Sequence, residues 1–155
     1  MYASYNFYYI IPNNFFISMY YKYYYTKPSE YYSSLYIINA SNEVSHIKIS
    51  TNIKNNEFIS QTYVRSAGIN DIAVFSSKGE IKEGNIRGEY ILSYSMDEVN
   101  PVSVVDIDKA ELFIRLKART AFSHNENIKL LYSDNGIHIF DMQRNNNTIM
   151  YSSNK

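Results

Sequence analysis

The side chains best suited to metal binding or acid–base chemistry are three histidines, His46, His124 and His138, the only histidines in the chain. A metal site needs several ligands at close and geometrically useful spacing. These histidines fall on different predicted strands and loops, and there is no cysteine to add a thiolate ligand. We therefore predict no metal site. We expect a structural role for His138, with its ring turned away from Ile137 and Ile139.

A small acidic cluster consists of Asp106, Asp108 and Glu111. Two carboxylates in different environments can divide the roles of general acid and general base. These residues flank a predicted turn at Asp108-Lys109, so we interpret them as solvated turn residues. No Gly-x-Ser-x-Gly nucleophile elbow occurs. We accordingly predict no catalytic residue, no cofactor-binding residue and no cofactor.

Basic side chains gather in the C-terminal half of the chain, at Arg115, Lys117, Arg119 and Lys129, with the aromatic Phe122 between them. On one face of a barrel, such a set could bind single-stranded nucleic acid by phosphate contact and base stacking. The formal net charge of the chain is zero, which argues against a nucleic-acid protein held by a basic face.

The elements that would position these side chains have the pattern of β-strands. The chain has 155 residues, enough for one domain with its own core. Short runs rich in Tyr, Ile, Val and Phe alternate with turn signals, and no segment has a sustained helical period. We therefore predict an all-β fold, a small barrel or sandwich. The predicted strands lie at 45–53, 58–64, 72–75, 85–95, 102–107, 110–116 and in the two arms of a hairpin at 128–141.

The strongest local signal is the Asn135-Gly136 pair between the two arms of that hairpin. Asn-Gly favours a type I′ turn, because both central residues need positive φ. Ile137, Ile139 or Phe140 should then face the core. Replacing Phe140 by Ala should cost about 3–5 kcal/mol if its ring is fully buried.

The two ends of the chain differ from this pattern. Residues 1–24 form a tyrosine-rich segment, and Pro12 divides it so that neither half approaches the roughly 20 residues that span a bilayer. The segment also lacks the basic start and the cleavage site of a signal peptide. We interpret it as an aromatic arm that packs on the body or on a partner. After a connector at 25–29 we predict one helical turn at 32–36, capped by Ser29, and the tail at 152–155 should fray.

Five motifs carry a resemblance to a known family. They are Tyr-Thr-Lys-Pro-Ser at 25–29, Gly-Ile-Asn-Asp-Ile-Ala-Val at 68–74, Gly-Asn-Ile-Arg-Gly-Glu-Tyr-Ile at 84–91, Glu-Leu-Phe-Ile-Arg-Leu at 111–116 and Gly-Ile-His-Ile-Phe-Asp at 136–141. In this order they resemble the C-terminal regulatory (TOBE, OB-like) domain of the ATPase subunit in sugar-type ABC importers, the maltose-importer group. The Arg-Pro-Glu of the family's middle segment is missing, and residues 1–24 do not match the helix and strand that precede the domain there.

The resemblance implies an OB-like or TOBE barrel at 25–151, with a second short β-subdomain and a non-catalytic regulatory role. The chain has no Gly-x-x-x-x-Gly-Lys-Ser/Thr loop to wrap phosphates, so we predict no ATP hydrolysis. It would be a truncated or stand-alone part of a carbohydrate transporter. The expected partners are an ABC ATPase subunit, a second copy of the chain or a small effector. The expected location is cytoplasmic, with membrane contact only through the transporter complex.

Two other classes of function stay open. One is a free-standing barrel that binds a small ligand or an oxyanion, and backbone N–H groups of the loop at 84–88 are the first candidate for the oxyanion. The other is an unrelated β-rich inhibitor or immunity-type protein. A defined polar pocket would favour the first, and a fold that lacks the barrel would favour the second.

Overall fold

The computed structural model describes residues 29–38, 42–142 and 147–153. The predicted aromatic arm at 1–24 and the end of the predicted tail lie outside these residues. The described elements are eight strands and one helix. They are β1 (Ser29–Ile38), β2 (Val44–Lys54), β3 (Glu57–Arg65), β4 (Ala73–Glu83), β5 (Glu89–Asn100), α1 (Glu111–Arg119), β6 (His124–Asp134), β7 (Ile137–Met142) and β8 (Asn147–Ser153).

The strands form one closed antiparallel barrel in which each strand pairs with the next, and β8 pairs with β1. The prediction of an all-β barrel is confirmed. An OB fold has five strands in a Greek-key order, whereas these eight strands follow one another as a meander. Within the described ranges every strand belongs to this one barrel, so the second β-subdomain is not found there.

The strands are strongly staggered. One row of paired residues starts at Tyr31, near the beginning of β1, and passes through Thr51, Ser60 and Ser77 to Met96, near the end of β5. The row climbs along the barrel as it runs around it, so the strands are tilted. Stagger, tilt and width are linked, and eight strands enclose either a packed interior or one small ligand.

Alternation along the strands decides which side chains face inward. In β3, Phe58, Ser60, Thr62 and Val64 are buried, and the residues between them are exposed. Directly paired residues point to the same side of a sheet. The residues that pair with these four on the neighbouring strands therefore also face the inside of the barrel. We call the end with the β2–β3, β4–β5 and β6–β7 turns the hairpin end, and the opposite end the helix end.

Helix α1 closes the helix end. Phe113 is 1% exposed, and its ring centroid lies 6.0 Å from that of Phe75, which is fully buried. The rest of this core cluster is Val64, Ile69, Ala73, Met96 and Ala110. The main hydrophobic core of the described chain is therefore at one end of the barrel rather than along its whole length.

The prediction of a strand at 110–116 was wrong, because this segment begins α1. Glu111 lies in its first turn and Arg119 in its last, which complements the helix dipole. Arg115 donates a 2.6 Å hydrogen bond to Glu111 one turn earlier. Phe113 and Leu116 pack on the core while Ile114 is exposed, so the buried positions follow helical spacing.

The connection that carries α1 is held by the β3–β4 loop. A Cβ atom on Gly68 would lie 2.2 Å from the backbone nitrogen of Ala110, so only glycine fits. Ser66 Oγ donates a 2.7 Å hydrogen bond to the carbonyl of Lys109, and Val105 N donates to the carbonyl of Gly68 at 2.9 Å. The strand predicted at 102–107 was also wrong, because only a single bridge joins Val104 to Ile69 there.

The β6–β7 hairpin is confirmed. Asn135 and Gly136 have φ values of 49° and 78°, the positive values that a type I′ turn requires. Phe140 faces inward, as its pairing with Leu130 indicates, but its ring is half-buried. Ile137 is 42% exposed, so the hairpin contributes less to the core than we predicted.

Several predicted boundaries also differ from the structure. The predicted helical turn at 32–36 is part of β1, and β4 continues to Glu83, beyond the strand predicted at 72–75. β5 runs from Glu89 to Asn100, whereas the strand was predicted at 85–95. Gly88 has a φ of 84° and lies in the tight turn before β5.

Candidate functional site

A charged cluster lies inside the barrel, at the point where α1 ends. Nη2 of Arg119 donates hydrogen bonds to the carboxylate of Glu126 and to the hydroxyl of Tyr94. Glu126 lies on β6 and its side chain is only 6% exposed. His124, two residues earlier, bonds through Nε2 to the carbonyl of Arg119 at 2.7 Å. A short polar network thus joins the end of the helix to the inner face of β5 and β6.

The pairing of β5 with β6 explains why these side chains lie close together inside the barrel. Tyr94 pairs with His124, and Leu92 pairs with Glu126, so all four side chains belong to the inner face. Sequence reasoning missed Glu126, although its alternation with His124 and Ile128 was a usable signal. We had considered Arg119 only as part of a basic face, because nothing in the local sequence reveals that the last residue of α1 turns into the barrel.

The protonation states of the network are set by burial and by hydrogen bonds. Burial alone would lower the pKa of Arg119, but its bonds to Glu126 and Tyr94 raise that pKa overall, so the guanidinium is charged. Burial and the neighbouring Glu126 raise the pKa of Tyr94 to about 12. Neither side chain changes its protonation near neutral pH. Nε of Arg119 is buried and has no partner within the described part of the chain.

The inner face toward the hairpin end differs from the packed helix end. Phe58 and Ile128 are buried on this face, but six other apolar side chains that point into the barrel are only half-buried. They are Ile53, Ile81, Tyr90, Leu92, Leu130 and Phe140. In a filled eight-stranded barrel such side chains would be covered by one another. Water therefore reaches the inner surface at the hairpin end.

Small residues form part of one wall of the barrel. β3 and β4 contribute Ser60, Thr62, Ser77 and Gly79 to the inner face, whereas β5 contributes Tyr90, Leu92, Tyr94 and Met96. Thr51 and Ser60 satisfy each other with a 2.9 Å hydrogen bond, so this polar wall does not need water at that point. The interior thus combines an apolar wall with a wall of small, hydrogen-bonded side chains.

His138 lies on the inner face near the hairpin end. Its Nδ1 is 3.0 Å from Ser133 Oγ, and its Nε2 is 3.0 Å from Ser153 Oγ. The ring of Tyr31 meets it edge-on, with centroids 5.2 Å apart. These contacts support the predicted structural role, since His138 on β7 contacts side chains of both β6 and β8.

The predicted acidic cluster forms local surface contacts. Asp106 Oδ1 accepts a 3.2 Å hydrogen bond from the backbone of Asp108, and its carboxylate lies 3.2 Å from Lys109 Nζ. Glu111 pairs with Arg115 on the exposed side of α1. These carboxylates do not converge on one point, and Glu111 lies in the first turn of α1 rather than in the loop before it.

The basic side chains that we considered for nucleic-acid binding do not form one basic surface. Arg119 turns inward, Lys117 lies 3.2 Å from Glu98, and Arg115 is paired with Glu111. Phe122 is exposed, but these paired cations do not form a basic face around it. In the loop at 84–88, the flanking N–H groups of Gly84 and Glu89 already donate to backbone carbonyls within the turn.

Two open grooves lie on the outer surface. The larger, about 650 Å³, is bordered by His46, Arg65 and Asp71 beside the β3–β4 loop. His46 is held there by a 2.9 Å contact with Ser34 Oγ and by stacking on Tyr36. The smaller groove, about 350 Å³, crosses β1 and β2 beside Tyr63. Tyr32 lines the smaller groove, where its hydrogen bond to Glu30 raises its pKa, but this tyrosine is exposed. The interior cluster holds a buried carboxylate with its counter-charge, so it is the stronger candidate site.

Within residues 29–38, 42–142 and 147–153, no group of three or more His, Asp or Glu side chains could hold a metal ion. The helix in this part of the chain is too short and too polar to cross a bilayer. No protein-family model matches the chain, and no curated protein matches it in sequence.

Proposed function

We propose that this protein is a non-catalytic binding protein that takes a small, largely apolar molecule into the hairpin end of its barrel. The observation that carries the proposal is the half-buried state of inward-facing apolar side chains such as Leu92, Leu130 and Phe140. Up-and-down barrels of eight strands are wide enough to hold one small ligand. This function is one of the alternatives that the sequence left open.

The two ends of the barrel support this proposal by their difference. Phe113 and Phe75 fill the helix end, so a ligand would enter from the hairpin end and stop at the level of Arg119 and Glu126. Ligand sites are mostly apolar with a few well-placed polar groups. The interior has this composition, with Leu92 beside Glu126 on the paired strand.

The chemistry of the interior favours binding over catalysis. A general acid or base works best when its pKa lies near the working pH. The pKa of Tyr94 is about 12, and Arg119 is a paired cation, so neither can exchange a proton readily at neutral pH. The hydroxyls of Thr51 and Ser60 bond to each other rather than to a base.

Leu92→Trp tests the proposal. Leu92 faces inward and is half-buried, so an indole there would occupy the space that we assign to the ligand. The matched control is Ile91→Trp, because Ile91 is the next residue of the same strand, faces outward and is 40% exposed. The chain has no native tryptophan, so each variant also gains a single fluorescent reporter.

The measurement is fluorescence titration of the full chain with the neutral probe N-phenyl-1-naphthylamine. We expect saturable binding by the wild type and by Ile91→Trp, and at least roughly a tenfold loss of affinity in Leu92→Trp, equivalent to ~1.4 kcal/mol. Equal binding by the two variants would place the probe outside the barrel. A wild-type chain that binds no probe would contradict the proposal itself.

A regulatory role like that of the TOBE domain is the second candidate. Its support is the order of the five motifs, and the one at 136–141 lies in the β6–β7 hairpin and β7. In this proposal the chain is cytoplasmic and binds an ABC ATPase subunit or a second copy of itself. Capture of a purified importer ATPase subunit by the immobilised chain, with no ATP hydrolysis by the chain alone, is the expected result. Failure of capture would count against it.

A further inference from the structure

We infer that the barrel selects neutral molecules over anionic ones. This inference rests on the proposed binding function and adds the class of ligand. It starts from the charges that face the interior. Arg119 is paired with Glu126, and Glu98 at the helix end is paired with Lys117. The inward-facing charges of Arg119, Glu126 and Glu98 therefore each have an opposite charge beside them.

The charge of Arg119 is already compensated by the carboxylate of Glu126. Nη2 of Arg119 serves both Glu126 and Tyr94, so a ligand carboxylate or sulfonate would have to displace one of them. Displacing Glu126 would leave a carboxylate that is 6% exposed without its counter-charge. Nε of the same guanidinium is buried, so a ligand cannot reach that donor without moving the surrounding side chains.

The cost of removing a ligand's charge from water is the reason why the barrel should favour a neutral ligand over an anionic one. Moving a charged group out of water costs several kcal/mol unless a partner compensates it. The half-buried side chains Leu92, Leu130 and Phe140 offer apolar contact but no charge. A neutral molecule gains this contact without the desolvation cost, whereas an anion of the same shape does not.

The test compares two probes that share one scaffold. N-phenyl-1-naphthylamine is neutral, and 1-anilinonaphthalene-8-sulfonate is the same molecule with one sulfonate. At pH 8 the wild type should bind the neutral probe at least roughly tenfold more tightly. Equal or tighter binding of the sulfonate would overturn the inference while the binding function stands. Binding of neither probe would overturn the binding function.

Glu126→Gln separates charge from shape. The substitution keeps the size of the side chain and leaves Arg119 as an uncompensated cation facing the interior. We expect the affinity for the sulfonate probe to rise by at least roughly tenfold, with little change for the neutral probe. A steric origin of the selectivity would leave the sulfonate as weakly bound as before, and that result would contradict our explanation.

The control is the double variant Arg119→Met/Glu126→Gln, which removes both charges and retains their bulk. It should keep the wild-type preference for the neutral probe, because the interior is again without net charge. A preference for the sulfonate in this variant would show that Arg119 is not the group that receives the anion. If Glu126→Gln does not fold, as judged by circular dichroism, the wild-type comparison and the double variant still decide the inference.

Discussion

Phe113→Ala tests whether α1 is the element that closes and stabilises the barrel. Phe113 is 1% exposed, and its ring contacts Phe75 in the core of the helix end. Removal of a buried phenylalanine ring costs about 3–5 kcal/mol, because the lost contacts leave a cavity that closes only in part. Ala is a better helix former than Phe and returns ~0.5 kcal/mol. We therefore expect a net loss of about 3–4 kcal/mol in the free energy of unfolding.

Two further variants make this prediction selective. Phe140→Ala should cost about 1–2 kcal/mol, because its half-buried ring has less apolar area to lose than a fully buried one. Ile114→Ala is the control on the same helix, since Ile114 is 38% exposed, and its change should stay within about 1 kcal/mol.

The assay is urea unfolding of the full chain, followed by far-UV circular dichroism and analysed with a common slope. The expected order of destabilisation is Phe113→Ala, then Phe140→Ala, then Ile114→Ala. A larger loss for Phe140→Ala than for Phe113→Ala would refute the location of the core at the helix end. Equal losses for the two α1 variants would mean that the helix does not bury one specific side.

Two other changes test the loop contact and the interior tyrosine. Gly68→Ala should destabilise the chain by about 1–3 kcal/mol, because its Cβ would meet the backbone of Lys109 and Ala110, and an unchanged urea midpoint would contradict this contact. Tyr94 has a pKa of about 12 in the fold, above the usual 10, so its stabilising effect is present below pH 10 and is lost as the pH rises toward 12. After allowance for solvent screening this loss is about 1–2 kcal/mol, measured by urea unfolding at pH 9.5 and 11.5, and Tyr94→Phe should reduce it. A pH dependence that is unchanged in Tyr94→Phe would assign the effect elsewhere, for example to Tyr151, whose pKa burial also raises to about 12.

Local patterns predicted the elements whose cause is local. Alternation at 45–53 predicted β2, and a run rich in apolar and β-branched residues at 58–64 predicted β3. The Asn135-Gly136 pair predicted the turn that its positive φ values confirm. The segment at 110–116 shows the opposite case. Its alternating Leu112, Ile114 and Leu116 fit a strand, yet the Ala110–Phe113–Leu116 spacing fits a helix equally well. Contact with Phe75 and Met96 across the barrel favours the helix, and that contact is absent from any local window.

The candidate site shows the same division. The inward direction of Glu126 follows from its alternation with His124 and Ile128 on β6, which the sequence contains. Its partner Arg119 does not follow from the sequence, because the turn at the end of α1 brings the guanidinium into the barrel. The ion pair between the part-buried Arg119 and the buried Glu126 depends on where α1 and β6 meet, and their separation of seven positions in the sequence does not specify that contact.

By itself, then, the sequence determined the strand-rich class, the turn chemistry and the faces of the regular strands, because these depend on side-chain period and on φ preferences within a few residues. Only the tertiary structure decided that the barrel has eight strands in a meander and that a helix fills one end. It also decided that the charge of Arg119 is cancelled inside the barrel. These features arise from contacts between different elements of the fold, whose free energies outweigh weak local preferences.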